Sequence, residues 1–132
     1  MTRFDADEPT ERRKLFAEAV AAHRTRASPF LTIEVDRDPD IDGEDEPAPW
    51  VQFADQTFNM DVTDAELDRA KSLLSEFPEF RIDQMESPEE AEGTNLRITA
   101  RSDANRLAAF ADRVFLDVYG RDDDYRAWVA AV

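Results

Sequence analysis

The sequence predicts an α+β fold, a two-layer sandwich in which helices roof one face of a five-stranded antiparallel sheet. Apolar and polar residues alternate from Phe30 to Val62 and again from Phe80 to Ala100, the period of strands with one buried face. Three other stretches place apolar residues at three- and four-residue steps, the period of helices with one buried side. A one-sided antiparallel sheet needs its apolar face covered, and the helix stripes supply the cover. The chain has 132 residues, 42% of them hydrophobic and including nine Phe and two Trp, enough to build one core, so a single domain over residues 1–132 is expected.

The first helix is expected from about Pro9 to Arg26, with Leu15, Phe16, Ala19, Val20 and His23 inward and Asp7 or Glu8 able to cap its start. Arg12, Arg13, Lys14, Arg24 and Arg26 fall on its exposed side, a basic element in an acidic chain. Ser28-Pro29 breaks it. Leu31, Ile33 and Val35 then mark a half-buried strand, Val51 and Phe53 a second, and Phe58, Met60 and Val62 a third. Asp55-Gln56 reads as the tight turn between the last two, so the three form a meander.

Thr63-Asp64-Ala65-Glu66 matches the capping box, in which the Thr hydroxyl and the Glu carboxylate each satisfy a backbone N–H left over at a helix start. A second helix therefore begins there, buries Leu67, Ala70, Leu74 and Phe77, and is expected to stop at Pro78. Strands four and five run through Phe80 and Ile82 and through Leu96, Ile98 and Ala100. Ser102 or Asp103 caps a third helix that buries Leu107, Phe110, Ala111, Val114 and Val118, and Gly120 supplies a left-handed cap at its end. A short final helix from Asp122–Asp124 is expected to dock Tyr125, Trp128 and Val129.

This order, helix, three strands, helix, two strands, helix, resembles the fold of type III secretion (Tir-type) chaperones and their free-standing relatives. The resemblance covers most of the chain at the level of architecture and transfers no functional residue. It implies a non-enzymatic protein that binds another polypeptide, often as a homodimer.

Charge points to the setting. The chain carries 31 acidic against 16 basic residues, a formal net charge of −15, and only Lys14 and Lys71 are lysines. Acid excess with lysine depletion suits a halophile, because molar salt shortens the Debye length to roughly 3 Å and screens the self-repulsion. The same field repels nucleic-acid phosphates and anionic membranes. No apolar run approaches the roughly 20 residues of a membrane span, and the charged opening MTRFDADEPTERRK has no signal-type segment, so a soluble cytoplasmic protein is expected. With no cysteine, thiolate nucleophiles and Cys-based metal sites are excluded.

Few residues suggest chemistry. Gly43, Gly93 and Gly120 lie too far apart for a phosphate-cradling loop, and the only histidine, His23, has no Ser or Cys motif beside it. No enzyme is therefore expected. Asp38-Pro39-Asp40-Ile41-Asp42-Gly43 fits the start of a calcium loop, with Glu46 at the ninth position, so Asp38, Asp40, Asp42 and Glu46 are the candidate ligands for calcium. Pro49 at the twelfth position cannot supply the bidentate carboxylate of an EF-hand, and strands flank the loop, so a hydrated hairpin tip is the competing reading.

Arg81, Arg97 and Arg101 fall opposite the apolar residues of strands four and five, a basic island on the solvent face. The fork of a guanidinium suits carboxylate and phosphate, so the island is an anion or acidic-peptide site, or else pairs across strands with Glu34, Asp36, Asp61 or Asp83. Trp50, opposite Val51 and Phe53, is the aromatic best placed for an interface. The expected function is polypeptide binding through the open sheet face by Trp50, Arg81, Arg97 and Arg101, as a homodimer, with a calcium-binding module as the alternative.

Overall fold

A computed structural model describes residues 5–27, 29–38, 40–42, 47–87 and 93–130. The elements are β1 (Asp5–Ala6), α1 (Pro9–Arg26), β2 (Leu31–Val35), β3 (Trp50–Ala54), β4 (Thr57–Val62) and α2 (Asp64–Leu74). They continue as β5 (Arg81–Glu86), β6 (Thr94–Thr99), α3 (Ala104–Arg113), a π-helical turn (Val114–Val118) and β7 (Ala127–Ala130). The strands form one antiparallel sheet in the order β1-β7-β2-β3-β4-β6-β5.

The mixed helix-and-sheet architecture and the meander of β2, β3 and β4 match the expectation. Two strands do not. The sheet has seven strands rather than five, because Asp5–Ala6 forms a two-residue edge and the last segment, expected as a helix, is the strand β7. The Asp run before Tyr125 looks like a helix start, but Ala127–Ala130 carry the period of two that fits the otherwise open edge of β2, where Ile33 pairs Val129. The element order thus departs from the one on which the chaperone resemblance rested.

Leu31, Ile33, Val51, Phe53, Phe58, Met60, Leu96 and Ile98 all point to one side and are buried with the apolar residues of the three described helices. Aromatic packing joins the layers: Phe58 lies 4.9 Å from Phe53 and 5.2 Å from Phe110 of α3, and Phe110 meets Phe77 and Phe80 at 5.0 Å each. His23 belongs to this core, edge-on to Phe53 at 5.8 Å, with its Nδ1 unpartnered among the described residues. Burial, and then the nearby Arg24 charge, lower its pKa and favour the neutral ring.

Local signals hold where backbone chemistry decides. Asp55 and Gln56 both take left-handed backbone angles, φ 50° and 63°, and close the β3–β4 hairpin with the twist that matches its strands. The capping box forms, with Thr63 N–H donating to Glu66 Oε1 at 2.8 Å and Glu66 N–H donating to Thr63 Oγ1 at 3.3 Å. Replacing Thr63 by Ala is expected to cost about 1 kcal/mol of stability in chemical denaturation, with an unchanged spectrum of the folded state. Asp103 caps α3 through Arg106 N–H at 2.8 Å, and Gly120 takes the expected left-handed angle, φ 71°, although the last turn before it is π-helical rather than α-helical.

Other expectations on the helices need correction. Helix α2 ends at Leu74, four residues before Pro78, and Phe77 reaches the core from the turn that follows. Arg12, expected on the exposed side of α1, is fully buried, because α3 and the 121–126 segment close over it. No helix of the described residues is long and apolar enough to cross a membrane.

Candidate partner-binding face

The described helices pack on one side of the sheet, and the other side is left to solvent. Alternation decides which side chains stand there. In one row across the strands, Asp5 pairs Trp128, Trp128 pairs Glu34, and Glu34 pairs Trp50. In the next, Thr32 pairs Gln52, Gln52 pairs Asn59, Asn59 pairs Arg97, and Arg97 pairs Gln84. In a third, Ala54 pairs Thr57, Thr57 pairs Thr99, and Thr99 pairs Arg81. A bulge between Ile82 and Gln84 keeps both Arg81 and Gln84 on this face.

Both tryptophans of the chain therefore flank Glu34 on the uncovered face, each half-buried. Trp128 Nε1–H donates to Glu34 Oε2 at 2.8 Å, which fixes the carboxylate beside the indole. Trp50 is where alternation placed it. The sequence does not disclose Trp128 as a face residue, since the final segment reads as a helix and its period of two covers only four residues.

The basic island has no side-chain partners among the described residues. Arg81, Arg97 and Arg101 are exposed, and their side chains make no ion pair or hydrogen bond within the described structure. The cross-strand pairs considered for them do not form: Glu34 accepts from Trp128, and Asp61 accepts from Asn95 Nδ2 at 2.9 Å. Elsewhere arginines are engaged: Arg106 with Glu79, Arg113 with Glu76 and Asp117, Arg126 with Asp5 and Asp7, Arg69 with the Val118 carbonyl. The contrast is local to one corner of the sheet, on β6, β5 and the residue two beyond β6.

The acidic connection between β2 and β3 lies apart from this corner. Asp38 Oδ1 accepts the Asp40 N–H at 2.9 Å, and Asp42 Oδ2 accepts the Asp38 N–H at 2.8 Å, so the carboxylates of Asp38 and Asp42 organise the turn. Asp42 is also gripped by both terminal nitrogens of Arg121, at 2.7 and 3.2 Å. Burial pushes the Asp42 carboxyl up, but the Arg121 hydrogen bond, the Asp38 N–H and the Arg121 and Arg37 charges outweigh it and hold the pKa below the usual carboxylate range. Glu46 lies outside the described residues, and among the described ones no cluster of three or more carboxylate or imidazole groups converges on a metal position. Arg121 carried no signal in the sequence; its role depends on a contact 79 residues away.

No curated protein and no solved structure matches the chain. One family model does match, over residues 1–132, and the chain belongs to that family, described as a family of unknown function (DUF7975).

Proposed function

We propose that this protein is a non-enzymatic, chaperone-like adaptor that binds a polypeptide partner through the uncovered face of its sheet. The observation that carries this reading is the placement of both tryptophans, half-buried, around Glu34 on the face that the helices leave open. A half-buried aromatic pair on a solvent-facing sheet offers contact area to a partner, and Trp is enriched among the residues that dominate binding energy. The acidic, lysine-poor composition supports a high-salt cytoplasm as the setting, where long-range repulsion between acidic proteins is screened and contact chemistry decides affinity.

A photocrosslinking amino acid at Gln52, between the two tryptophans and the arginines, tests the reading in native lysate at molar KCl. Polypeptide adducts are expected from Gln52 and not from a control position at Lys71 on the exposed side of α2. Their yield is expected to fall at least about fivefold in the Trp50→Ala/Trp128→Ala variant, in keeping with the loss of about 1 kcal/mol or more per hot-spot residue. Equal yields from both positions, or none from either, would refute it.

A further inference from the structure

Resting on that reading, we infer that the corner formed by Arg97, Arg81 and Arg101 receives an extended acidic segment of the partner, with carboxylates at alternate positions. The spacing comes from the sheet. Arg97 and Arg81 stand on the open face, Arg97 beside Asn59 and Gln84, Arg81 beside Thr99. Thr99 is two residues beyond Arg97, and Arg101 two beyond Thr99. Along the strand axis, the three backbone positions recur at about 6.6 Å, two residues of extended chain. Side chains on one face of an extended peptide recur at the same interval.

Three further observations select the occupant. These three arginines lack any carboxylate of their own within the described structure, in a chain with 31 acidic residues. Each guanidinium presents a planar fork that pairs with carboxylate oxygens through two parallel hydrogen bonds. The net charge of −15 opposes long polyanions, whose many phosphates meet the whole field, whereas a short acidic segment brings a few charges to the one basic corner. The chain's own alternating acids do not supply the occupant, because Asp42 is already held by Arg121.

Fluorescence anisotropy with labelled synthetic peptides tests the inference on the full chain at about 0.5 and 2 M KCl. The probes are a peptide with Asp at alternate positions, an isomer with the same Asp residues consecutive, a Lys counterpart of the first, and a single-stranded oligonucleotide. The alternating Asp peptide is expected to bind most tightly, to weaken as salt rises, and to lose at least about tenfold with Arg97→Gln and with Arg81→Gln. Arg97→Glu is expected to shift preference toward the Lys peptide. Both positions are exposed, and circular dichroism separates lost binding from lost fold. Equal binding of the two Asp isomers, tighter binding of the oligonucleotide, or affinity unmoved by the Arg97 and Arg81 variants overturns the inference. Adducts at Gln52 together with any of these results would leave the open-face reading standing and remove only the acidic-segment inference.

Discussion

Arg12→Ala is expected to destabilise the protein by about 3–5 kcal/mol, enough to unfold much of a small domain. The guanidinium is fully buried, and its Nε donates to Asp112 Oδ1 at 2.9 Å while the side chain of Asp112 is only 3% exposed. Its Nη1 donates to the carbonyls of Asp123 at 2.6 Å and Tyr125 at 3.0 Å, and its plane sits 3.9 Å from the Tyr125 ring centre. Tyr125 Oη–H donates to the same Asp112 oxygen at 2.7 Å, and burial, followed by the Asp112 charge, pushes the phenol pKa far up, so the phenol keeps its proton. One arginine thus ties α1 to α3 and to the segment leading into β7. Its Nη2 finds no partner within the described structure, so the site already carries one desolvated donor. Truncation would add to this a buried carboxylate whose one remaining cation among the described residues, Arg13, sits 3.7 Å away and is half exposed. Urea denaturation followed by tryptophan fluorescence, at fixed molar KCl, measures the change. The double variant Arg12→Met/Asp112→Leu is expected to recover most of the loss, because an apolar pair of similar volume leaves no stranded charge. A cost below about 1 kcal/mol for Arg12→Ala would show that the network contributes little.

Arg121→Ala is expected to cost about 3 kcal/mol, again as a stranded charge. The pair is well shielded, with side-chain exposures of 3% for Arg121 and 8% for Asp42. Arg121 also donates to the Asp36 carbonyl at 3.3 Å, so it pins Asp36 and Asp42 of the acidic turn to the segment that follows the π-helical turn. The pH dependence follows from the lowered Asp42 pKa. A carboxyl that titrates lower in the folded chain contributes its full stabilisation above the ordinary value of 3.8 and loses it as pH falls through the folded value. In Asp42→Asn that share of the acid slope is expected to vanish, with stability near neutral pH reduced toward that of Arg121→Ala. Denaturation midpoints between about pH 2 and 7 check both statements, and an Asp42→Asn curve parallel to the wild type would refute the second.

The same pair explains why the acidic stretch was hard to read. Alternating Asp38, Asp40 and Asp42 resemble ion ligands in sequence, and the spacing gives no sign that Asp42 pairs with a cation 79 residues away. Arg12 gives the same lesson from the other side. Within the run Glu11-Arg12-Arg13-Lys14 nothing distinguishes the buried arginine from its exposed neighbours, since helical spacing assigns faces only to about a quarter turn and Asp112 lies 100 residues away.

What the residues determined unaided was governed by short-range stereochemistry and by sustained period: the existence of the three helices, the meander, the capping box, the left-handed turn at Asp55-Gln56, and the side of the sheet on which Trp50, Arg81 and Arg97 stand. Tertiary structure alone decided that the closing segment adds a strand, that Trp128 joins Trp50 across Glu34, and which arginines pair with carboxylates among the described residues. Those outcomes depend on partners brought together from opposite ends of the chain. Coulomb and hydrogen-bond energies are set by distance and by exclusion of water, and neither quantity is written in the spacing of residues along the chain.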